Sequence, residues 1–238
     1  MGSEMCIRDR PQAHGHWRGQ LCRNGLCVDG RLSSFLSRDF VMYENDRRSK
    51  CPILKDFRAR LRQAREEDVP AFIQEGRQLF KAPPPFAVTI VISHLKRRKL
   101  CRAADARWRR GNSDVSNLIL ETDDLGPIAV HIGLSVKALQ TGPLVKGLWY
   151  TVECLEPLEL QEQTVRWGET ERRVVTVTPE TFQRDVTMTA AVTAASVQGE
   201  TIQDTVCVAD LENPHMRHKD VLEMAVGRAT HSDNLRFL

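Results

Sequence analysis

The sequence predicts an α/β protein: a parallel sheet interrupted by a small β-rich insertion and preceded by helices. Three observations predict it. Residues 87–93, A-V-T-I-V-I-S, are a β-branched apolar run of buried-strand length that passes directly into a basic helical stretch. Residues 128–186 hold short strand-like runs punctuated by Gly-Pro, Lys-Gly and Pro at hairpin spacing. Residues 187–238 return to strand, loop and helix in alternation.

The 238 residues suffice for one or two domains, 41% of them are hydrophobic, and no apolar run reaches membrane-spanning length. A membrane partner is therefore not expected. The net charge is only +3, but it is unevenly spread. Residues 1–110 carry 24 Lys and Arg against 12 Asp and Glu, and residues 111–238 carry 10 against 19. That asymmetry points the first half toward a polyanion, with solvated helix faces as the plainer explanation of part of it. Seven scattered cysteines argue against a disulfide framework and for a reducing intracellular compartment. Cys22 and Cys27, with His14 and His16 upstream, have no second half-site among the other cysteines, so no metal site is expected.

Residues 1–30 read as an irregular or non-native leader. The first ten, M-G-S-E-M-C-I-R-D-R, resemble a translated adaptor read-through, which carries the expectation that the native protein begins further upstream. Residues 31–85 read as a helical linker. Phe57, Leu61 and Ala64 share one face of a first helix, and a second, opened by residues 66–68 and Pro70, carries Phe72, Ile73, Leu79 and Phe80. Pro83, Pro84 and Pro85 end it.

Residues 86–127 open the α/β unit. Eight of the sixteen residues from 95 to 110 are Lys or Arg. On a helix, Leu95, Leu100, Ala103, Ala104 and Ala106 would form an apolar stripe and turn a basic face outward. Lys96, Arg97, Arg98 and Lys99 are then candidate contacts to nucleic-acid phosphates, with Trp108 as a stacking platform or a core residue. Residues 128–186 read as a small barrel or meander. Trp149, Tyr150 and Trp167 there either stack bases or fill its core.

The closing unit, residues 187–238, carries the chemistry. Residues 189–201 read T-A-A-V-T-A-A-S-V-Q-G-E-T, residues 205–209 read as a strand, and residues 221–230 read V-L-E-M-A-V-G-R-A-T. A planar guanidinium suits oxygens that gain negative charge during phosphoryl transfer, which makes Arg228 a candidate. Gln198 can read phosphate or order a water, and Gly199 lets backbone amides approach an anion. Each fragment alone also fits a turn or a helix C-terminus. Asp210 and Glu212 follow an apolar strand and mimic a magnesium-binding element, but their position after the Gln-Gly turn fits a loop before Asn213-Pro214.

Together, and in this order, the two segments resemble motifs V and VI of superfamily 1 DNA helicases of the RecD-like branch. The strand and Ser93-His94 step resembles motif IV, and residues 145–155, V-K-G-L-W-Y-T-V-E-C-L, resemble the start of the SH3-like insertion of that group. The resemblance covers residues 86–238. It implies a RecA-like second motor domain formed by residues 86–127 and 187–238, with an SH3-like insertion at 128–186. It also implies an arginine finger at Arg228, nucleotide contacts from Gln198, Gly199 and Arg228, and a catalytic role for Gln198. Single-stranded DNA contacts from Thr193 and Ser196 complete the set, alongside the basic helix. ATP and Mg²⁺ would serve the full-length parent, with none held tightly by this chain alone.

The sequence departs from the group at Ala195 and Ser196, where many members have His-Lys, and at Glu223 and Met224, where Tyr-Val is frequent. No Gly is directly followed by Lys, so the phosphate loop G-x-x-x-x-G-K-[ST] is missing. The chain is thus expected to hold half of an ATPase site, to hydrolyse nothing alone and to need an N-terminal motor domain. A non-catalytic single-stranded nucleic-acid-binding module and a decayed helicase relic are the alternatives.

Overall fold

The structure, a computed structural model, describes residue 49 and residues 51–165, 169–198 and 200–238. The leader, Gly199 and Trp167 lie outside them. Two helices come first, α1 (Pro52–Gln63) and α2 (Val69–Leu79), followed by β1 (Val88–Val91) and the long α3 (His94–Gly111). A hairpin of β2 (Leu118–Thr122) and β3 (Gly126–Val130) leads to β4 (Ser135–Ala138), β5 (Trp149–Leu155), β6 (Leu158–Glu162) and β7 (Val174–Thr176). The chain closes with α4 (Pro179–Asp185), β8 (Val186–Met188), β9 (Ala191–Thr193), β10 (Val206–Val208), α5 (Lys219–Val226) and β11 (Leu235–Phe237).

The predicted α/β class and its parallel sheet are what the protein has. The four strands run β11-β10-β1-β9, every neighbouring pair parallel. Val88, Ile90, Val206 and Val208 are buried, as expected where helices cover both faces. A second, antiparallel sheet has the order β7-β6-β5-β4-β8, and it lies in the chain between β1 and β9. Its core is Val136, Tyr150, Val152, Leu160 and Phe182. No strand covers the expected run at 163–167 among the described residues; β6 comes earlier, where Leu158 and Leu160 alternate inward. Helix α4 was not foreseen, although Thr178 caps it, its hydroxyl accepting from the Thr181 amide at 3.2 Å, and Pro179 opens it.

Helices α1 and α2 share the parallel sheet's core rather than forming a separate surface hairpin. Phe57, Phe80 and Phe237 are buried in edge or tilted contact, with Phe72 against Phe57 at 5.5 Å. Gly76 makes this possible: a Cβ there would stand 2.4 Å from the Phe237 ring.

Helix α3 corrects the expected apolar stripe. Leu95 is 80% exposed, while Arg97, Cys101 and Asp105 face inward. The helix lies against β9 and the β2–β3 hairpin, and its buried charges are satisfied there. Asp105 accepts from the Ala129 amide at 2.7 Å and pairs with Arg109 at 2.8 Å. A hairpin edge offers unpaired backbone groups, so a charged helix face can dock on it where an apolar one would leave them orphaned.

Candidate functional site

Strands β1, β9 and β10 end side by side at the carboxyl edge of the parallel sheet, the usual place for ligands in open α/β sheets. Each is followed by a segment carrying polar side chains. After β1, Ser93 caps α3, its hydroxyl accepting from the Lys96 amide at 3.0 Å. After β10, Asp210 adopts a left-handed backbone with φ 68°. Its carboxylate accepts from the Ile92 amide at 3.2 Å and from the Lys96 ammonium at 2.8 Å. Burial opposes it, but these bonds leave the Asp210 carboxyl below its ordinary value. Asp210 therefore ties β10 to the start of α3, in keeping with the loop role read from the sequence.

After β9 comes a 3₁₀ turn, Ala194–Val197. Ser196 is exposed and its hydroxyl donates to the Thr193 carbonyl at 2.9 Å. Gln198 is exposed beside it. Thr193 is corrected as a surface contact: it is 6% exposed, because β9 is covered on both sides.

Arg228, read from the sequence as a guanidinium for phosphate oxygens, is buried at 2% exposure. Its Nε donates to the Met224 carbonyl at 2.9 Å, and its Nη1 to the carbonyls of Val197 at 3.3 Å and Glu200 at 2.8 Å. The arginine at the end of α5 thus holds the backbone that follows β9, at Val197 and Glu200. The Arg228 carbonyl accepts from the Ile202 amide at 2.8 Å, fastening the same two segments again. Gly227 has its own reason. A Cβ there would lie 2.7 Å from the guanidinium of Arg58, which is buried and paired with Glu223 at 2.8 Å.

A second cation holds the turn. Lys137 on β4 is 9% exposed, and its ammonium donates to the Ser196 carbonyl and lies 5.8 Å from the centre of the Trp149 ring. Burial pushes the Lys137 ammonium below its ordinary pKa, with Glu200 nearby acting the other way. Lys137 was not singled out from the sequence; only its place inside an alternating strand could have drawn attention to it. A cleft of about 630 Å³ opens beside this contact, between the two sheets, lined by Trp149, Ser135, Thr151, Arg172, Glu200 and Asp204 among others. The Trp149 indole N–H is buried without a hydrogen-bond partner among the described residues.

The basic helix divides. Arg97 is corrected as a phosphate contact: it is 7% exposed and donates to both oxygens of Asp124, at 2.5 and 2.7 Å, and to Thr187 at 2.9 Å. Burial opposes it, yet the bonds from Arg97 and Thr187 hold the Asp124 carboxyl below its ordinary value. Lys96 is engaged by Asp210, and Arg98 reaches Asp124 at 3.2 Å while half exposed. Lys99 is exposed. Trp108 stacks on His131 with ring centres 3.8 Å apart and planes 4° apart, so an imidazole covers one face. Tyr150 is a core residue, its hydroxyl accepting from the Val145 amide at 3.0 Å. Among the described residues no cluster of His, Cys, Asp or Glu could hold a metal ion.

This α/β architecture is shared with solved structures of Pif1 helicases. Among solved structures, Bacteroides Pif1 bound to single-stranded DNA matches over 80% of this chain and 49% of its own, with a TM-score of 0.50 and 14% identity. Pif1 helicase from Candida albicans matches over 80% of this chain and 54% of its own, with a TM-score of 0.51 and 12% identity. A structure of two coordinating Pif1 helicases at forked double-stranded DNA gives a TM-score of 0.50 at 15% identity, over 80% of this chain and 47% of the other. The chain spans about half the length of these proteins. No family model matches the sequence, and no curated protein matches it.

Proposed function

We propose that the chain is the second motor domain of a superfamily 1 DNA helicase of the RecD-like kind, working on single-stranded DNA with ATP and Mg²⁺. The carrying observation is the meeting of the two motif-like segments: Arg228 bonds the carbonyls of Val197 and Glu200, on either side of Gln198-Gly199. In this reading the antiparallel sheet is the SH3-like insertion. Helicase-like architecture at a TM-score of 0.50 supports it, as does the DNA bound by Bacteroides Pif1.

ATP, when bound, supplies the phosphoryl transfer that drives movement. The described residues fit part of that chemistry. Arg228, once released from the carbonyls it holds, would bring charge to the γ-phosphate, and Gln198, followed in the sequence by Gly199, would orient a water. Among the described residues the carboxylates near the sheet edge are engaged, Asp210 by Lys96 and Glu212 by Arg77 and Arg217, so Mg²⁺ ligands would come from the first motor domain. A first motor domain would supply the phosphate loop. DNA would meet Ser196, Arg98 and Lys99.

The test is binding of a fluorescent oligo(dT) across a salt series, together with steady-state ATPase assays. Salt-sensitive binding is expected, and Arg98→Ala with Lys99→Ala should lower the logarithmic salt slope by roughly 0.7 per lost contact. No ATP turnover is expected from the chain alone. Binding that ignores both substitutions would refute the DNA face. The missing phosphate loop favours a second reading, a non-catalytic nucleic-acid-binding module. Failure of a supplied first motor domain to gain ATPase activity from this chain would select it.

A further inference from the structure

The backbone after β9 is held at its carbonyls by two buried cations from different elements. Arg228, at the end of α5, takes Val197 and Glu200. Lys137, on β4 of the antiparallel sheet, takes Ser196. The backbone between them carries the exposed Ser196 and Gln198 side chains. A lysine in the middle of a strand has little reason to be buried. Its neighbours on β4, Val136 and Ala138, are ordinary core residues. Position 137 is fully served by an apolar residue if its only task is to fill space, and Lys instead requires desolvation of an ammonium. The ammonium is compensated by one carbonyl, the face of Trp149 and the charge of Glu200. Two of these three, Ser196 and Glu200, belong to the turn and its exit.

We infer that Lys137 is a positioning residue through which the antiparallel sheet sets the Ser196–Gln198 backbone, so that the orientation of that sheet is felt at the nucleic-acid-facing turn. The inference rests on the proposed function for what the turn touches. The mechanical part stands on the contacts alone. Lys137 acts through the Ser196 carbonyl and Trp149 and touches no phosphate itself, being covered on its exposed side by the turn.

The experiment compares wild type, Lys137→Met and Lys137→Arg of the full chain by backbone hydrogen exchange and by oligo(dT) binding. Met keeps the length of the side chain and its packing on Trp149 while removing the donor. Exchange of residues 194–204 should rise about tenfold or more in Lys137→Met, as for loss of a charge-assisted hydrogen bond. Residues 135–162 should be unchanged, and Lys137→Arg should restore much of the protection. Unchanged exchange in residues 194–204, or an equal rise in both regions, overturns the inference. In the binding arm, Lys137→Met should weaken affinity about threefold to tenfold with the salt slope unaltered. A slope reduced by roughly 0.7 would make Lys137 a phosphate contact and also overturn it. If wild type does not bind oligo(dT), the nucleic-acid reading fails while the exchange arm still decides the positioning role. If Lys137→Met does not fold, Lys137→Gln, which also removes the ammonium, takes its place: a rise confined to residues 194–204 supports the strut, and none refutes it.

Discussion

Replacing Arg228 by Met separates the two views of this residue more sharply than any other substitution. Met retains an unbranched chain, so the volume left empty is small and the change reports mainly on the guanidinium. In the structure that group is 2% exposed and bonds three backbone carbonyls, of Met224, Val197 and Glu200. A hydrogen bond to a charged group contributes about 1.5–3 kcal/mol, and a buried carbonyl left without its donor costs on the order of 1–3 kcal/mol. Burying the cation has its own desolvation cost of several kcal/mol, which Met abolishes, so the contributions do not simply add. The net loss should be about 3 kcal/mol, the lower end of what removing one partner from a buried charged network costs.

Equilibrium urea unfolding reads this directly. With an m-value of about 2–3 kcal/mol/M, the midpoint should fall by about 1 M or slightly more. Arg228→Lys should recover part of the loss, since an ammonium can satisfy one carbonyl but cannot span two segments as a planar fork does. A midpoint shift worth less than about 0.5 kcal/mol would refute the argument, because that is the behaviour of an ordinary surface arginine.

Three further outcomes follow from the same coordinates. Arg97→Met should cost about 3 kcal/mol by leaving Asp124 short of a buried partner, and should leave the salt slope of oligo(dT) binding unchanged; a flattened slope would restore Arg97 as a phosphate contact. Gly76→Ala should destabilise by about 1–3 kcal/mol, since its Cβ would enter the Phe237 ring at 2.4 Å; an unchanged thermal midpoint would show that the aromatic cluster yields freely. Burial pushes the Cys101 thiol up to about 11 and the Cys207 thiol up to about 12, from 9.0. Folded values raised in this way contribute stability that is fully present below pH 9 and lost as pH rises toward 11–12, at about 1.4 kcal/mol per pH unit per thiol. Urea midpoints at pH 8 and 10.5 should therefore diverge less in Cys207→Ala than in wild type, and equal divergence would refute the assignment.

What the sequence disclosed best was whatever depends on local pattern. The β-branched run at β1 and the Val-Cys-Val strand at β10 can hardly be anything but buried parallel strands, and they are. Ser93 before a basic helix and the Gly/Pro punctuation of the antiparallel sheet were equally legible. Helix α3 was misread because periodicity ranks residues by hydropathy, whereas its docking surface is a hairpin with backbone groups to satisfy. Arg97 and Asp105 meet that need and Leu95 does not, so charge went in and leucine stayed out. Helices α1 and α2 looked like a separate linker for a related reason. Their aromatic partner, Phe237, lies at the far end of the chain, and no local window contains both.

The site shows the same division at higher resolution. Residue types were legible: a guanidinium and an amide made Arg228 and Gln198 candidates for anion chemistry. Their state was not, because burial of a charged side chain is decided by carbonyls that only the tertiary fold presents. Arg228 is the instructive case. Its place in Ala-Val-Gly-Arg invited a functional explanation for the glycine, yet Gly227 is small because Arg58 needs the space, and Arg58 is there for Glu223. A residue can therefore be required by one arginine and mistaken for evidence about the next. The grip of Arg228 on Val197 and Glu200 also changes what an arginine finger would have to do here. To reach a phosphate the guanidinium must release those carbonyls, so engagement of a nucleotide and loosening of the turn after β9 would be one event. With Lys137 still holding the Ser196 carbonyl, that release would free the carbonyls of Val197 and Glu200 within the same stretch, residues 196–200.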